Sequence, residues 1–326
     1  MNNLVSKFKH LSFALLCSVA ITCNAYAQKQ DVRMLFVGDL MLDELPGKVI
    51  AQGKNPFASF QKQFKQADLR FGNLECVVGT HGKKEDKPFT FLAHPRVLKT
   101  VKAHFSAVSL ANNHSGDFGP KAFDTMLTLM EKENIPYFGG GRDMRSAHAP
   151  YLVEKNGHKI AILGYDNFFP RSFEALEDRP GVAWADADQV AFDIRNAKEK
   201  LGADIVITYP HWGWEHEPLA SKHQEELARI MIDAGADAVV GGHPHVTQNI
   251  DVYKGKPIFY SLGNFVFNGF ETEESQTGWA LELVFDANKK ITWTIHVAKL
   301  DKNGIPKYAG VLSQQEIDKV LKTVSH

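Results

Sequence analysis

The feature that most constrains the fold of this chain is an arrangement that occurs at five places. In each, a short apolar run suited to a buried strand ends in a cluster of acidic, amide or histidine side chains, and four of the five clusters also contain glycine. Segments with apolar residues at helical spacing lie between several of these runs, so strand and helix alternate and an α/β fold is predicted. The five clusters are Gly38-Asp39, Gly72-Asn73-Leu74-Glu75, Asn112-Asn113-His114, Pro210-His211-Trp212-Gly213 and Gly242-His243-Pro244-His245.

The pattern changes after the last cluster. Up to that point the strands are predicted at 32–37, 68–73, 107–110, 160–163, 205–208 and 238–240, and the helices at 56–66, 94–104, 121–133, 188–200 and 222–234. Beyond it, four strands follow with little helix between them, at 246–252, 257–262, 279–285 and 291–297. The sequence has no Ser/Pro-rich linker between the two halves. We therefore predict a single domain over residues 28–326, with its core at about 32–300.

The N-terminal residues are typical of a secretory signal peptide. Lys7 and Lys9 precede an apolar run at 11–21, and Ala25-Tyr26-Ala27 follows it. The run is shorter than the roughly 20 residues that a membrane-spanning helix needs. We predict that residues 1–27 are cleaved, and that the mature protein is exported to the periplasm or secreted, with no transmembrane segment.

The charge balance limits the class of partner. The chain has 37 Lys and Arg against 38 Asp and Glu, a formal net charge of −1. A strongly basic nucleic-acid binder is therefore excluded, and no nucleic-acid partner is expected. The apolar fraction of 44% is ordinary for a globular protein.

The five clusters carry the residue types of a metal site. In α/β sheets, ligands bind beyond the carboxyl ends of the strands, which is where all five clusters stand. Imidazole nitrogens together with carboxylate and amide oxygens suit divalent cations. Each cluster alone has an ordinary structural explanation, such as a turn or a hydrogen-bonded histidine. His243-Pro244-His245 is the strongest of them, because proline fixes its φ and one rigid turn can present both imidazoles. The ordered set of five predicts a metal site.

The order of these motifs resembles the calcineurin-like metallophosphoesterase superfamily. It is more closely similar to the CapA family, whose members are linked to bacterial poly-γ-glutamate capsule synthesis. The resemblance runs from about residue 34 to 267. The segments that carry it are Gly38-Asp39-Leu40-Met41-Leu42, Asn73-Leu74-Glu75, Ser109-Leu110-Ala111-Asn112-Asn113-His114, His211-Trp212-Gly213, Gly242-His243-Pro244-His245 and Tyr260-Ser261-Leu262-Gly263-Asn264-Phe265.

The resemblance implies a two-sheet β-sandwich flanked by helices, in α/β/β/α layers, with a two-metal site at one edge. It also implies that His114 is catalytic, as a proton donor or charge stabiliser near the leaving group rather than as a ligand. The implied ligands are Asp39 and His245 for the first metal, and Asn113, His211 and His243 for the second.

Two positions depart from the superfamily pattern. Met41 stands where a histidine ligand is usual, and a thioether is a poor ligand for a hard cation. Asn73 stands where the superfamily has a bridging aspartate. Glu75 lies two residues further on, on the same face of an extended segment, and could supply the missing carboxylate. Both departures also resemble the CapA family's own pattern.

The resemblance, together with the two positions that depart from the superfamily pattern, leaves four candidate functions. The leading one is an exported CapA-like protein of capsule or poly-γ-glutamate biosynthesis or assembly, with a metal-dependent phosphoesterase-like site. Such a protein would hold one or two divalent ions (Mn, Fe and Zn are not distinguished), act on an anionic polymer or phosphoester, and meet the capsule synthesis or export machinery. The alternatives are a periplasmic metal-dependent phosphoesterase of another substrate, a non-catalytic polymer-binding assembly component, and a γ-glutamyl hydrolase or transferase. The retained histidines favour a working site, whereas Met41 and Asn73 argue against full activity, so whether the chain is an enzyme stays open.

Three further positions receive structural interpretations. Asp117 could orient the imidazole of His114 or cap the helix that begins near Pro120, and we predict the cap. Asn264 is predicted to lie in a turn with no chemical role. The charged segment at 79–88 is predicted to be a solvated loop.

Overall fold

The computed structural model describes residues 29–321, so the predicted signal peptide at 1–27 lies outside the described residues. The strands are β1 Val32–Leu40, β2 Leu69–Leu74, β3 Val77–Val78, β4 Leu92–Ala93, β5 Ala107–Ser109, β6 Tyr137–Phe138, β7 Gly140–Gly141, β8 Tyr151–Lys155, β9 His158–Asp166, β10 Gly181–Val182, β11 Ile205–His211, β12 Ala238–Val240, β13 Ile250–Tyr253, β14 Lys256–Phe259, β15 Asn264–Val266, β16 Thr277–Phe285, β17 Ile291–Leu300 and β18 Pro306–Val311. The helices are α1 Glu44–Ala51, α2 Gln61–Gln66, α3 Val97–His104, α4 Gly119–Lys132, α5 Met144–Ala147, α6 Ala187–Glu199, α7 Lys222–Asp233 and α8 Gln314–Val320, with a 3-10 turn at Ala58–Phe60 before α2.

Two large sheets form the frame of the protein. The eight-stranded sheet has the order β18-β17-β16-β1-β2-β5-β6, with β15 paired to the end of β1. Its strands β1, β2, β5 and β6 are parallel, whereas β16, β17 and β18 are antiparallel. The six-stranded sheet has the order β13-β14-β12-β11-β9-β8, with a parallel centre of β14, β12, β11 and β9. The parallel strands of each sheet therefore end at a common edge.

The two sheets pack face to face through their alternating inward side chains. Met34 and Phe36 of β1 share one apolar cluster with Ile205 and Ile207 of β11. Because side chains alternate along a strand, Leu35 of β1 points to the opposite face. Each such aliphatic side chain stabilises the fold by about 1.5–3 kcal/mol when it is fully buried.

The outward faces of both sheets are covered by helices. Leu35 and Val37 pack with buried residues of α1, α2, α3 and α4, whereas Leu163 and Val206 pack with buried residues of α6 and α7. The order of layers is helix, sheet, sheet, helix. The α/β class and the two-sheet sandwich with flanking helices are thereby confirmed.

Some helices and strands begin or end at other residues than predicted, where local backbone geometry overrides the hydrophobic pattern. The predicted helix at 56–66 is a 3-10 turn followed by the short α2. The strand predicted from 246 begins only at Ile250, because the chain before it turns through left-handed backbone at His243 and His245. Helix α1 was not predicted because it contains Pro46 and Gly47, both poor helix formers, although proline is tolerated in a first turn.

Membrane-spanning helices were sought in residues 29–321. Within that range, none of the helices combines enough length with enough apolar character to cross a bilayer.

Candidate metal centre

The strand-end clusters converge at the common edge of the two sheets. Asp39, near the end of β1, stands opposite Asn73 of β2 in the strand register, and Glu75 follows that strand directly. His211 is the last residue of β11, and its neighbour in the β-bridge pattern is Gly242, immediately before His243. Hydrogen bonds and short distances connect the strand-end residues of one sheet with those of the other, so they form one site.

Two glycines permit this convergence. A Cβ atom at Gly38 would lie 1.8 Å from the carbonyl oxygen of Gly263, and one at Gly242 would lie 2.8 Å from Oδ1 of Asp39. Neither position has room for a side chain, so glycine is needed for the close approach of these segments.

The segment His243-Pro244-His245 presents two imidazoles from strained backbone. His243 has a φ of 97° and His245 a φ of 57°, a region that non-glycine residues rarely adopt. Such conformations cost on the order of 1–3 kcal/mol each and persist where surrounding contacts hold them. The turn directs Nδ1 of His243 to within 3.0 Å of Nε2 of His211, and it separates the two ring centroids of the turn by 5.9 Å.

Three groups of potential metal ligands result: one joins the exposed Glu215 to His243 and His245, and Glu75 belongs to the other two. In one, ligand atoms of Glu75, His211 and His243 all lie within 4.8 Å of one another; in the other, those of Asp39, Glu75 and His245 do. The side chain of the partly exposed Asn113 extends the first group, with its Oδ1 2.9 Å from Nε2 of His211. The two groups that contain Glu75 divide the histidines as the resemblance implied, whereas the third combines His243 with His245, so the assignment of ligands stays a prediction.

The carboxylate of Glu75 is the most unusual group of the site. Its side chain is fully buried, and neither oxygen accepts a hydrogen bond from any N–H or O–H group of residues 29–321. Its Oε1 lies 3.8 Å from Nε2 of His211, 3.8 Å from Nε2 of His245 and 3.9 Å from Nε2 of His114. A buried polar group without a partner is costly, and a bound cation would compensate this carboxylate.

Burial shifts the pKa values of the site toward the neutral forms of both its carboxyl and its imidazole groups. It raises the pKa of Asp39 to about 6 and holds the pKa of Glu75 well above its usual range. It also lowers the pKa of His245 to about 3, and it places the pKa values of His211 and His243 well below the usual range. Neutral imidazoles offer lone pairs, and a nearby cation would favour ionised carboxylates. The residues therefore fit a divalent cation.

Asn73 positions ligands from both groups. Its Nδ2 donates to Oδ1 of Asp39 at 2.9 Å and lies 3.1 Å from Nδ1 of His211, while its Oδ1 accepts from Nδ2 of Asn112 at 2.9 Å. Both ends of the amide are therefore used within the protein. Met41 is fully buried in the apolar cluster beneath the helices of the large sheet, where its role is packing.

His114 lies at this site and is oriented by Asp117. Nδ1 of His114 is 2.8 Å from Oδ2 of Asp117, which also accepts from the backbone N–H of Phe91 at 2.7 Å. The prediction that Asp117 caps the following helix is wrong, since Phe118 occupies the N-cap position and no side chain caps that end. Asp117 is completely buried, so its carboxylate turns inward to the imidazole and to the ammonium of Lys87.

Two further functional neighbours were missed by the sequence interpretation. Asn264 places its Oδ1 2.9 Å from Nδ1 of His245, and its Nδ2 donates to the carbonyl oxygen of Ser275 at 2.9 Å. Lys87, in the segment predicted as a solvated loop, donates to the carbonyl oxygen of Asn113 at 2.8 Å. Neither contact has a local sequence signal, because both partners are distant in the chain.

Aromatic rings cover the imidazoles. Ring centroids are 4.6 Å apart for Phe91 and His114, 4.0 Å for Phe168 and His243, and 4.9 Å for Phe267 and His245. These rings exclude water from the ligand groups, which strengthens electrostatic interactions inside the site.

Comparison with known proteins places the chain among capsule synthesis proteins. Residues 33–269 match the family model described as bacterial capsule synthesis protein PGA_cap. The chain is 34% identical over 258 residues to the capsule biosynthesis protein CapA of Bacillus anthracis, covering 76% of this chain and 63% of the relative. It is 37% identical over 239 residues to the PGA biosynthesis protein CapA of Bacillus subtilis (strain 168), covering 72% of this chain and 62% of that relative. The aligned part thus spans less than two thirds of either relative's length.

A solved structure shares the fold. The NAD nucleotidase of Haemophilus influenzae superimposes with a TM-score of 0.50 at 16% sequence identity, covering 89% of this chain and 61% of that chain. The residues matched by the family model include both ligand groups and His114. By this match and by the identity to the two Bacillus proteins, the chain belongs to the bacterial capsule synthesis protein (PGA_cap) family.

Proposed function

We propose that this protein acts in the biosynthesis or assembly of a bacterial poly-γ-glutamate capsule, as an exported protein with a metal-dependent hydrolytic site of the phosphoesterase type. Membership of the PGA_cap family and the names of the Bacillus relatives support the capsule context. The signal-like residues at 1–27 support export. An anionic polymer or a phosphoester is the substrate class, and the capsule synthesis or export machinery is the partner.

The hydrolytic part of the proposal depends on two cation positions. Asp39, Glu75 and His245 would hold one divalent cation, and Asn113, His211 and His243 the other. Bound cations of this kind polarise the scissile bond and lower the pKa of a bound water.

The remaining site residues would transfer a proton, orient the ligands or limit the access of water. Asp117 holds Nδ1 of His114, so Nε2 is the atom from which a proton would reach a leaving group. Asn73 and Asn264 keep Asp39, His211 and His245 in their orientations. The aromatic rings beside the histidines limit the access of bulk water.

One observation carries the proposal: a fully buried carboxylate, Glu75, has no hydrogen-bond donor and faces three imidazole nitrogens. A purely structural glutamate would be satisfied by donors, as nearly all buried polar groups are.

The test is hydrolysis by the purified protein with Mn²⁺ or Zn²⁺, using a chromogenic phosphodiester and poly-γ-glutamate as substrates. We expect turnover that a chelator abolishes and that His211→Ala removes. His94→Ala, which changes an exposed histidine outside the site, serves as the matched control and should keep full activity.

A second candidate, the non-catalytic polymer-binding component, is favoured by Asn73, a neutral amide where the superfamily has a bridging aspartate. The same assay separates the two functions. Bound metal and bound polymer without turnover of either substrate would overturn the hydrolytic proposal in favour of this one.

A further inference from the structure

A cavity of about 350 Å³ opens beside the second ligand group. It is bordered by Asn113 of that group and by the segment 85–87. The other residues that line it are Gly116, Asp166, Phe168, Pro170, Ser172 and Phe173. Asn113 is also the partly exposed member of its group, so the cavity adjoins the site at its accessible side. A substrate held at the metal centre would therefore extend part of its structure into this space.

Asp166 is the buried polar side chain of the cavity. It ends β9 and stands opposite His211 in the register of β11, and only 5% of it is exposed. Its Oδ1 accepts from the backbone N–H of Phe168 at 3.2 Å, but no side chain of residues 29–321 donates a hydrogen bond to it. The residue thus presents a carboxyl group with spare acceptor capacity to the cavity. Burial raises the pKa of Asp166 to about 7, and a nearby ammonium group would favour its ionised form.

The charges around the cavity favour a cationic occupant. Its lining contains the carboxyl groups of Glu85, Asp86 and Asp166, against the single ammonium of Lys87. Lys87 forms an ion pair with Asp117 and donates to the carbonyl oxygen of Asn113, although its charge also acts to lower the pKa of Asp166 against the larger effect of burial. An anionic group would be repelled here, whereas an ammonium group would find an acceptor.

We propose that this cavity binds the free amino group of the substrate, with Asp166 as its ion-pair partner. This inference rests on the proposed function, because it takes the neighbouring ligand groups to be the reaction centre. It narrows the substrate class to molecules that carry an ammonium group near the reacting bond, such as the amino end of a γ-glutamyl chain. The interior of such a chain, which presents carboxylates, is disfavoured by the same acidic lining.

Binding measurements test the inference without requiring turnover. The probes are γ-glutamylglutamate with a free amino group and its N-acetyl derivative, each titrated calorimetrically into metal-free and Mn²⁺-loaded protein. We expect acetylation to weaken binding at least about tenfold, which is the scale of a hydrogen bond to a charged group. Asp166→Asn should abolish that discrimination, whereas Asp178→Asn, which removes an exposed carboxylate outside the cavity, should keep it.

The outcomes separate this inference from the proposed function. Equal binding of the two probes to the wild-type protein, or binding of neither, overturns the inference even if the protein binds metal and hydrolyses a phosphoester. Discrimination that persists in metal-free protein supports the amino-group site even if no turnover is found. If Asp166→Asn does not fold, the comparison of the free and the N-acetylated probe on the wild-type protein tests the inference. Glu85→Gln, on the exposed rim of the cavity, should then reduce the difference in affinity between the two probes.

Discussion

Replacing Glu75 by glutamine distinguishes a metal ligand from a structural residue. The Glu75 side chain is fully buried and its oxygens accept no hydrogen bond from residues 29–321. Glutamine keeps the shape but removes the ionisable group, so in the metal-free protein it relieves the burial of an acid. We expect the free energy of unfolding of the metal-free protein to stay unchanged or to rise by about 1–2 kcal/mol.

Asp117→Asn is the matched control, because it makes the same chemical change at an equally buried carboxylate. Asp117 accepts from the backbone of Phe91, contacts His114 and pairs with Lys87. Breaking these hydrogen bonds and the ion pair should lower the free energy of unfolding by about 2–4 kcal/mol. The two variants should therefore differ in the sign of their effect, although both replace an acid by its amide.

The affinity of the Glu75→Gln variant for metal is the second quantity to compare with the wild-type protein. Loss of residues that only orient ligands weakens metal binding 10–100-fold, so loss of a direct ligand should weaken it by at least about 100-fold. Urea unfolding in chelator, followed by tryptophan fluorescence, gives the stabilities, and calorimetric titration with Mn²⁺ gives the affinities. If Glu75→Gln destabilised the metal-free protein as much as Asp117→Asn, or left the titration unchanged, Glu75 would be a structural residue and the reasoning would be refuted.

Three other predictions concern neighbouring and terminal residues. Asn264→Ala should weaken one of two metal-binding steps by about 10–100-fold, because it releases the ring of His245, and calorimetry that showed both steps unchanged would contradict this. His114→Gln should leave both steps intact while hydrolysis falls by about 10²–10⁴-fold, as expected for a lost proton donor; loss of metal from this variant would argue for a ligand role instead. The exported protein should begin at Gln28, and N-terminal sequencing that found residues before Ala25 would reject the predicted cleavage site.

The convergence of the site could be predicted from the sequence because its causes are local. Short apolar runs that end in glycine and polar residues identify the strand ends, and parallel strands of one sheet finish at one edge. Asp39, Glu75 and His211 follow this rule, and the structure brings them together at that edge. Proline at 244 predicts the rigid turn at 243–245, whereas nothing local predicts its left-handed backbone.

The supporting contacts could not be predicted, because they depend on tertiary packing. Asp117 precedes a helix, which favours a cap by local preference, yet burial against His114 decides its orientation. Asn264 reaches His245 only because β15 pairs in parallel with β1. Lys87 belongs to a run of charges typical of a solvated loop, and its contact with Asp117 arises when that loop folds over the site.

The central claim is that Glu75 lies between two cation positions, and anomalous diffraction from crystals grown with Mn²⁺ measures this most directly. The account predicts two anomalous peaks about 3.5–4 Å apart, one on each side of the Glu75 carboxylate. One peak should lie beside Asp39 and His245, and the other beside His211 and His243. A single peak out of contact with Glu75, or no peak at this edge of the sheets, would contradict the account.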